Sequence, residues 1–151
     1  MIGSSSFSKQ IQRIKKSSGK FRYDEVKNVL NVLQSDKNTK DYVNLLEKKF
    51  CQIFKTKYAI ACNSGTSALH SSLAALELPK GSEVIVPSLA VVMDAYAAIH
   101  CNLKPVFADV DEDTFLVTAE TISKKITKKT KAIIVVSLQG LPVDIDPIIK
   151  L

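Results

Sequence analysis

Beginning at Tyr23, the apolar positions Val26, Val29, Leu30 and Leu33 recur at intervals of three and four, which is the spacing of one face of a helix. Asp24 and Glu25 stand at its start, where negative charge complements the helix dipole. A polar break over residues 35–39 follows, and Val43, Leu46, Phe50 and Phe54 then repeat the same interval. Two amphipathic helices are therefore predicted before any strand.

The pattern changes after residue 57. Short apolar, β-branched runs at 58–62, 83–86, 105–108 and 132–136 read as strands. They alternate with helix-like stretches at 66–76, 89–100 and 118–126, and residues 147–151 look like a helix just beginning. Parallel neighbours need crossover connections, so this alternation predicts an α/β fold: a parallel or mostly parallel sheet with helices on both faces. Residues 1–20, rich in Ser and Lys, are expected to be a mobile basic arm, and residues 21–151 to form one architecture.

Composition narrows the class without changing this picture. In 151 residues, 46% are hydrophobic and 24% charged, with five Gly and five Pro, as in a globular domain. The apolar stretch 84–101 is broken by Pro87 and Asp94, so neither a membrane span nor a secretory signal is predicted. Three cysteines without C-x-x-C spacing suggest neither a disulfide framework nor a zinc knuckle, and a cytoplasmic location is expected.

The net charge of +6 is uneven: residues 1–57 hold 13 Lys and Arg against 5 Asp and Glu, the remainder 8 against 10. Basic residues interleaved with apolar ones at helical spacing describe a solvated helix face. With no nucleic-acid reading motif beside them, no nucleic-acid partner is expected.

The chemistry concentrates where the 58–62 run meets the next helix, in Asn63, Ser64, Gly65, Thr66, Ser67, Ala68 and Leu69. Gly65 permits close backbone approach, the first N–H groups of a helix have no internal acceptor, and Thr66 and Ser67 add hydroxyls. Together these make a receptacle for a phosphate. The same residues also read as an ordinary helix cap. Asp109 and Asp111 read as turn and cap residues. Ser67 and His70 share a helix face but lack an acid to orient the imidazole, and His100 beside Cys101 lacks further ligands at metal spacing.

These blocks, with Gly81 to Ser88 (GSEVIVPS), Pro105 to Asp111 (PVFADVD), Thr130 to Ile134 (TKAII) and Gly140 to Asp144 (GLPVD), resemble in order and spacing the DegT/DnrJ/EryC1/StrS family of sugar aminotransferases. The resemblance implies the N-terminal part of an aspartate-aminotransferase-type large domain, incomplete over residues 21–151. It also implies pyridoxal 5'-phosphate (PLP) as cofactor, with Gly65, Thr66 and Ser67 holding its phosphate. Nucleotide-linked keto sugars, an amino donor such as glutamate, and a homodimer in the complete enzyme are further implications. The lysine that binds the cofactor covalently falls, in the family, beyond the matched stretch, so no catalytic residue is assigned and the chain alone is expected to be inactive. Lys131, Lys150, Asp109 and Asp144 lie in other family blocks. The family's ring-stacking aromatic corresponds to Val91, and His and Tyr are missing around Ser137, Leu138 and Gln139. The competing reading is a complete, non-catalytic phosphate- or nucleotide-binding α/β module.

Overall fold

The computed structural model describes residues 21–34 and 39–151; the expected arm at 1–20 lies outside them. The chain divides into two compact units, Met1–Ile60 and Ala61–Leu151. In the first, α1 (Tyr23–Gln34) and α2 (Thr39–Phe54) occupy the ranges that the apolar spacing predicts. Asp24 and Glu25 lie in the first turn of α1, and the Glu25 carboxylate accepts from the Arg22 N–H at 2.8 Å, closing the helix start. In α2, Phe50 and Phe54 are four residues apart and stack at 4.3 Å between ring centres.

The second unit contains α3 (Gly65–Ala74), β1 (Glu83–Pro87), α4 (Met93–His100), β2 (Lys104–Ala108), α5 (Ala119–Ser123), β3 (Thr130–Ile133), a 3-10 turn (Leu138–Gly140) and α6 (Asp146–Ile149). The three strands are parallel in the order β2-β1-β3, with Ile85 opposite Val106 on one side and Ile133 on the other. All five β1 residues are buried. Because side chains alternate across a strand, Val84 and Val86 pack on one face with Leu73 of α3 and Ala95, Ala97 and Ala98 of α4. Ile85 packs on the other with Ala108, Val117, Ile122 of α5 and Ile148 of α6. Helices thus cover both faces, as expected. The alternation follows from the order: β2 and β3 lie on opposite sides of β1, so crossovers of one hand must pass over opposite faces.

Three expectations are corrected. Residues 58–62 form no strand. The described sheet consists of β1, β2 and β3 alone, and Ile60 is 84% exposed, so the apolar composition of this run is not matched by burial. The helix expected from residue 89 begins at Met93: the Ser88 N–H continues the β1 pairing by donating to the Ala108 carbonyl, and residues 88–92 turn outward with Leu89, Val91 and Val92 exposed. The last strand is Thr130–Ile133, not 132–136; it is an edge and only half-buried.

Polar groups brace the sheet at its amino end. Glu83 is buried, and its carboxylate accepts from the Thr127 hydroxyl at 2.6 Å and the Lys104 ammonium at 3.2 Å, tying β1 to β2 and to the turn before β3. These two donors, Thr127 first, hold its pKa below the ordinary value. Asp94, in the first turn of α4, is the opposite case. It is 7% exposed, no described side chain pairs with it, and burial pushes its pKa up. The folded state therefore holds this proton more tightly than the unfolded chain, and the cost is full above the raised pKa and relieved as pH falls through it. Asp94→Asn is expected to raise the melting temperature at about pH 7.5, with the gain shrinking as acidification protonates the Asp94 carboxyl. Thermal melts of both proteins over that acidification check the sign.

Candidate functional site

At the start of α3, Ser64 is extended and acts as N-cap: its hydroxyl oxygen accepts from the Ser67 N–H at 3.1 Å and lies 3.0 Å from the Ser67 hydroxyl. The Ala68 N–H donates to the Ser64 carbonyl at 3.1 Å. Of the first four N–H groups, this leaves those of Gly65 and Thr66 with no acceptor among the described residues. Gly65 is exposed, and Thr66 and Ser67 are half-buried. The cap reading and the anion reading thus coexist: Ser64 caps, and two amides remain directed outward.

Gly65 carries the clearest signal. Its φ is not positive, and a Cβ added there would meet nothing within 4 Å. Among the described residues, neither backbone strain nor packing requires glycine at this position. What bare backbone does permit is close approach by something outside the chain.

The fold sets where this turn faces. The C-terminal ends of α3 and α4 share one cavity, lined by Ala74, Glu77, His100 and Cys101, so the two helices point the same way. Because α4 starts from the carboxyl end of β1, the start of α3 also lies on the carboxyl side of the sheet. There the connection after β1 leads to α4 on one face, and that after β3 leads to α6 on the other. Such a reversal opens a crevice at the strand ends, the usual ligand position in open α/β sheets. Its border includes the exposed Leu89, Val91 and Val92 on the β1 side. On the β3 side the 3-10 turn has Gln139 at φ 56° and Gly140 at φ 84°.

The remaining candidates fall as turn chemistry. The Asp111 carboxylate accepts from the Thr114 hydroxyl at 2.8 Å and from the Thr114 and Asp113 N–H groups at 2.9 and 3.2 Å, which lowers its pKa. Asp109 accepts from the Val110 N–H at 2.9 Å. Ser67 is paired with Ser64, while the His70 ring faces His100. Sequence reasoning passed over two features: the burial of Asp94, a lone acid in an apolar run, and the meeting of His70 with His100, residues on different helices.

The sequence profile of the DegT/DnrJ/EryC1/StrS aminotransferase family matches residues 20–151. An aminotransferase from Psychrobacter cryohalolentis is 37% identical, with a TM-score of 0.80, over 86% of this chain and 34% of that one. A protein from Streptococcus pneumoniae described as a sugar aminotransferase, in its PLP form, is 31% identical over 86% and 33%, with a TM-score of 0.77. A GDP-4-keto-6-deoxymannose-3-dehydratase with a trapped PLP-glutamate geminal diamine is 32% identical over 85% and 34%, with a TM-score of 0.72. The chain spans about a third of the length of these relatives.

Proposed function

The chain belongs to the DegT/DnrJ/EryC1/StrS aminotransferase family, whose cofactor is PLP, and from that premise we propose that it is the N-terminal part of a PLP-dependent enzyme acting on nucleotide-linked keto sugars. In this reading residues 21–151 are an incomplete large domain and residues 1–20 a basic arm. The complete enzyme is a cytoplasmic homodimer with an amino donor such as glutamate. Among the described residues, no helix is long and apolar enough to cross a membrane. The one-third coverage of relatives supports a partial enzyme, and the dehydratase relative supports the substrate class, whether the outcome is amino transfer or dehydration.

The carrying observation is Gly65, where an added Cβ would meet no described atom within 4 Å and whose N–H, like that of Thr66, has no acceptor among the described residues. The amides of Gly65 and Thr66, with the hydroxyls of Thr66 and Ser67, hold the cofactor phosphate; the helix dipole adds to their attraction for a dianion. The Ser67 amide contributes little, because Ser64 already accepts its proton. Leu89, Val91 and Val92 offer an apolar wall in place of a stacking aromatic ring. The cofactor supplies an electron sink for bonds at the substrate carbon. This chain's residues anchor and orient it, and no residue among them is assigned the covalent hold or the proton transfers. The chain alone therefore binds without turnover.

Calorimetric titration with pyridoxamine 5'-phosphate, which forms no imine with lysines, tests the reading. The expected result is saturable binding that pyridoxamine without the phosphate does not reproduce, with no conversion of glutamate to 2-oxoglutarate. Equal binding of both compounds would overturn the phosphate cradle. Equal binding of any phosphate ester, without preference for the pyridine ring, would favour the non-catalytic phosphate- or nucleotide-binding module.

A further inference from the structure

The chain has two histidines, and the fold brings them together. His70 on α3 and His100 at the end of α4 have ring centres 5.7 Å apart with planes inclined by 45°. The ring centre of Tyr96 lies 6.5 Å from that of His100, with the planes inclined by 61°. Both imidazoles line a cavity of about 200 Å³ with Leu73, Ala74, Glu77 and Cys101.

From these observations we propose that His70 and His100 form a two-imidazole site for a borderline divalent cation of the Zn²⁺ class. Two imidazole nitrogens bound at ~2.0–2.1 Å to one tetrahedral ion put the ring centres about 5–6 Å apart, so the observed separation needs little adjustment. Both helices end at this cavity, and the partial negative charge of helix C-termini favours a cation there. Glu77 belongs to the same lining, and its negative charge adds to that field. The Cys101 thiol is turned to the His70 carbonyl, 3.8 Å away, and is not counted as a ligand. Among the described residues no three ligand-type side chains converge, so water completes the coordination. The site lies at the helix ends opposite the phosphate cradle and does not depend on the proposed cofactor.

Because there are only two histidines, their imidazole Cε1–H resonances report the site directly. On titrating the whole chain with Zn²⁺, both resonances are expected to shift together, with one midpoint and one ion per chain. Both residues are exposed, so His100→Gln leaves the fold intact. It should raise the midpoint for His70 by at least about tenfold, since even outer-shell partners of a metal site contribute ~10–100-fold. Cys101→Ser should leave the midpoint essentially unchanged. Movement of one histidine alone, an unchanged midpoint in His100→Gln, or loss of binding in Cys101→Ser would each overturn the proposal.

Discussion

Ile85→Ala is expected to lower the stability of the chain by about 2–5 kcal/mol, the range for truncating a large aliphatic side chain in a packed core. Ile85 is fully buried at the centre of the middle strand, with Ala108, Val117, Ile122 and Ile148 around it and half-buried Val106 and Ile133 beside it. Neighbours held by two strands and two helices cannot collapse into the vacated space, so a cavity adds to the lost transfer free energy. Against a typical domain stability of ~5–15 kcal/mol, this loss brings the sheet close to unfolding. Urea unfolding followed by circular dichroism measures it as a shift of midpoint at unchanged slope. Ile60→Ala, at a site 84% exposed, should shift stability by no more than ~0.5 kcal/mol. Similar losses at both positions would contradict the core assignment.

Gly65→Glu is expected to weaken binding of pyridoxamine 5'-phosphate by about 100-fold while the protein stays folded. One charge-assisted hydrogen bond is worth ~1.5–3 kcal/mol, and the carboxylate both displaces such a contact and repels a dianion. The new side chain enters open space, and a negative charge in the first turn complements the helix dipole, so α3 is preserved or slightly stabilised. That separation matters because a loss of binding cannot then be ascribed to unfolding. Gly65→Ala, with no charge, should preserve the melting temperature and weaken binding less. Paired calorimetry and thermal melts decide the matter; unchanged affinity in Gly65→Glu would remove Gly65 from the cradle.

Much of the unit's architecture follows from local rules. The interval of Val26, Val29, Leu30 and Leu33 depends only on helix geometry, and so α1 is legible from its own residues. Ser64 to Ser67 encode a cap and a helix start within a few positions, which makes the candidate site readable before its surroundings are known. The β1 run, apolar at Val84, Ile85 and Val86, similarly announces a strand.

Other features were settled by contacts between distant segments. The 58–62 run has the composition of a strand, yet which runs join the sheet is decided by packing between distant segments, and Ile60 stands 84% exposed. The start of α4 was postponed to Met93 because Ser88 is drawn into pairing with Ala108, a residue of β2. Burial of Asp94 and the approach of His70 to His100 likewise come from two helices docking, which no periodicity along one chain segment can express. The sequence by itself determined the helices, the β1 strand, the α/β alternation and the exposed-amide turn at Gly65, because these arise from interactions a few residues in range. Tertiary structure decided strand pairing, the crevice at the carboxyl ends and the environments of the charged groups, because each depends on which surfaces exclude water from one another.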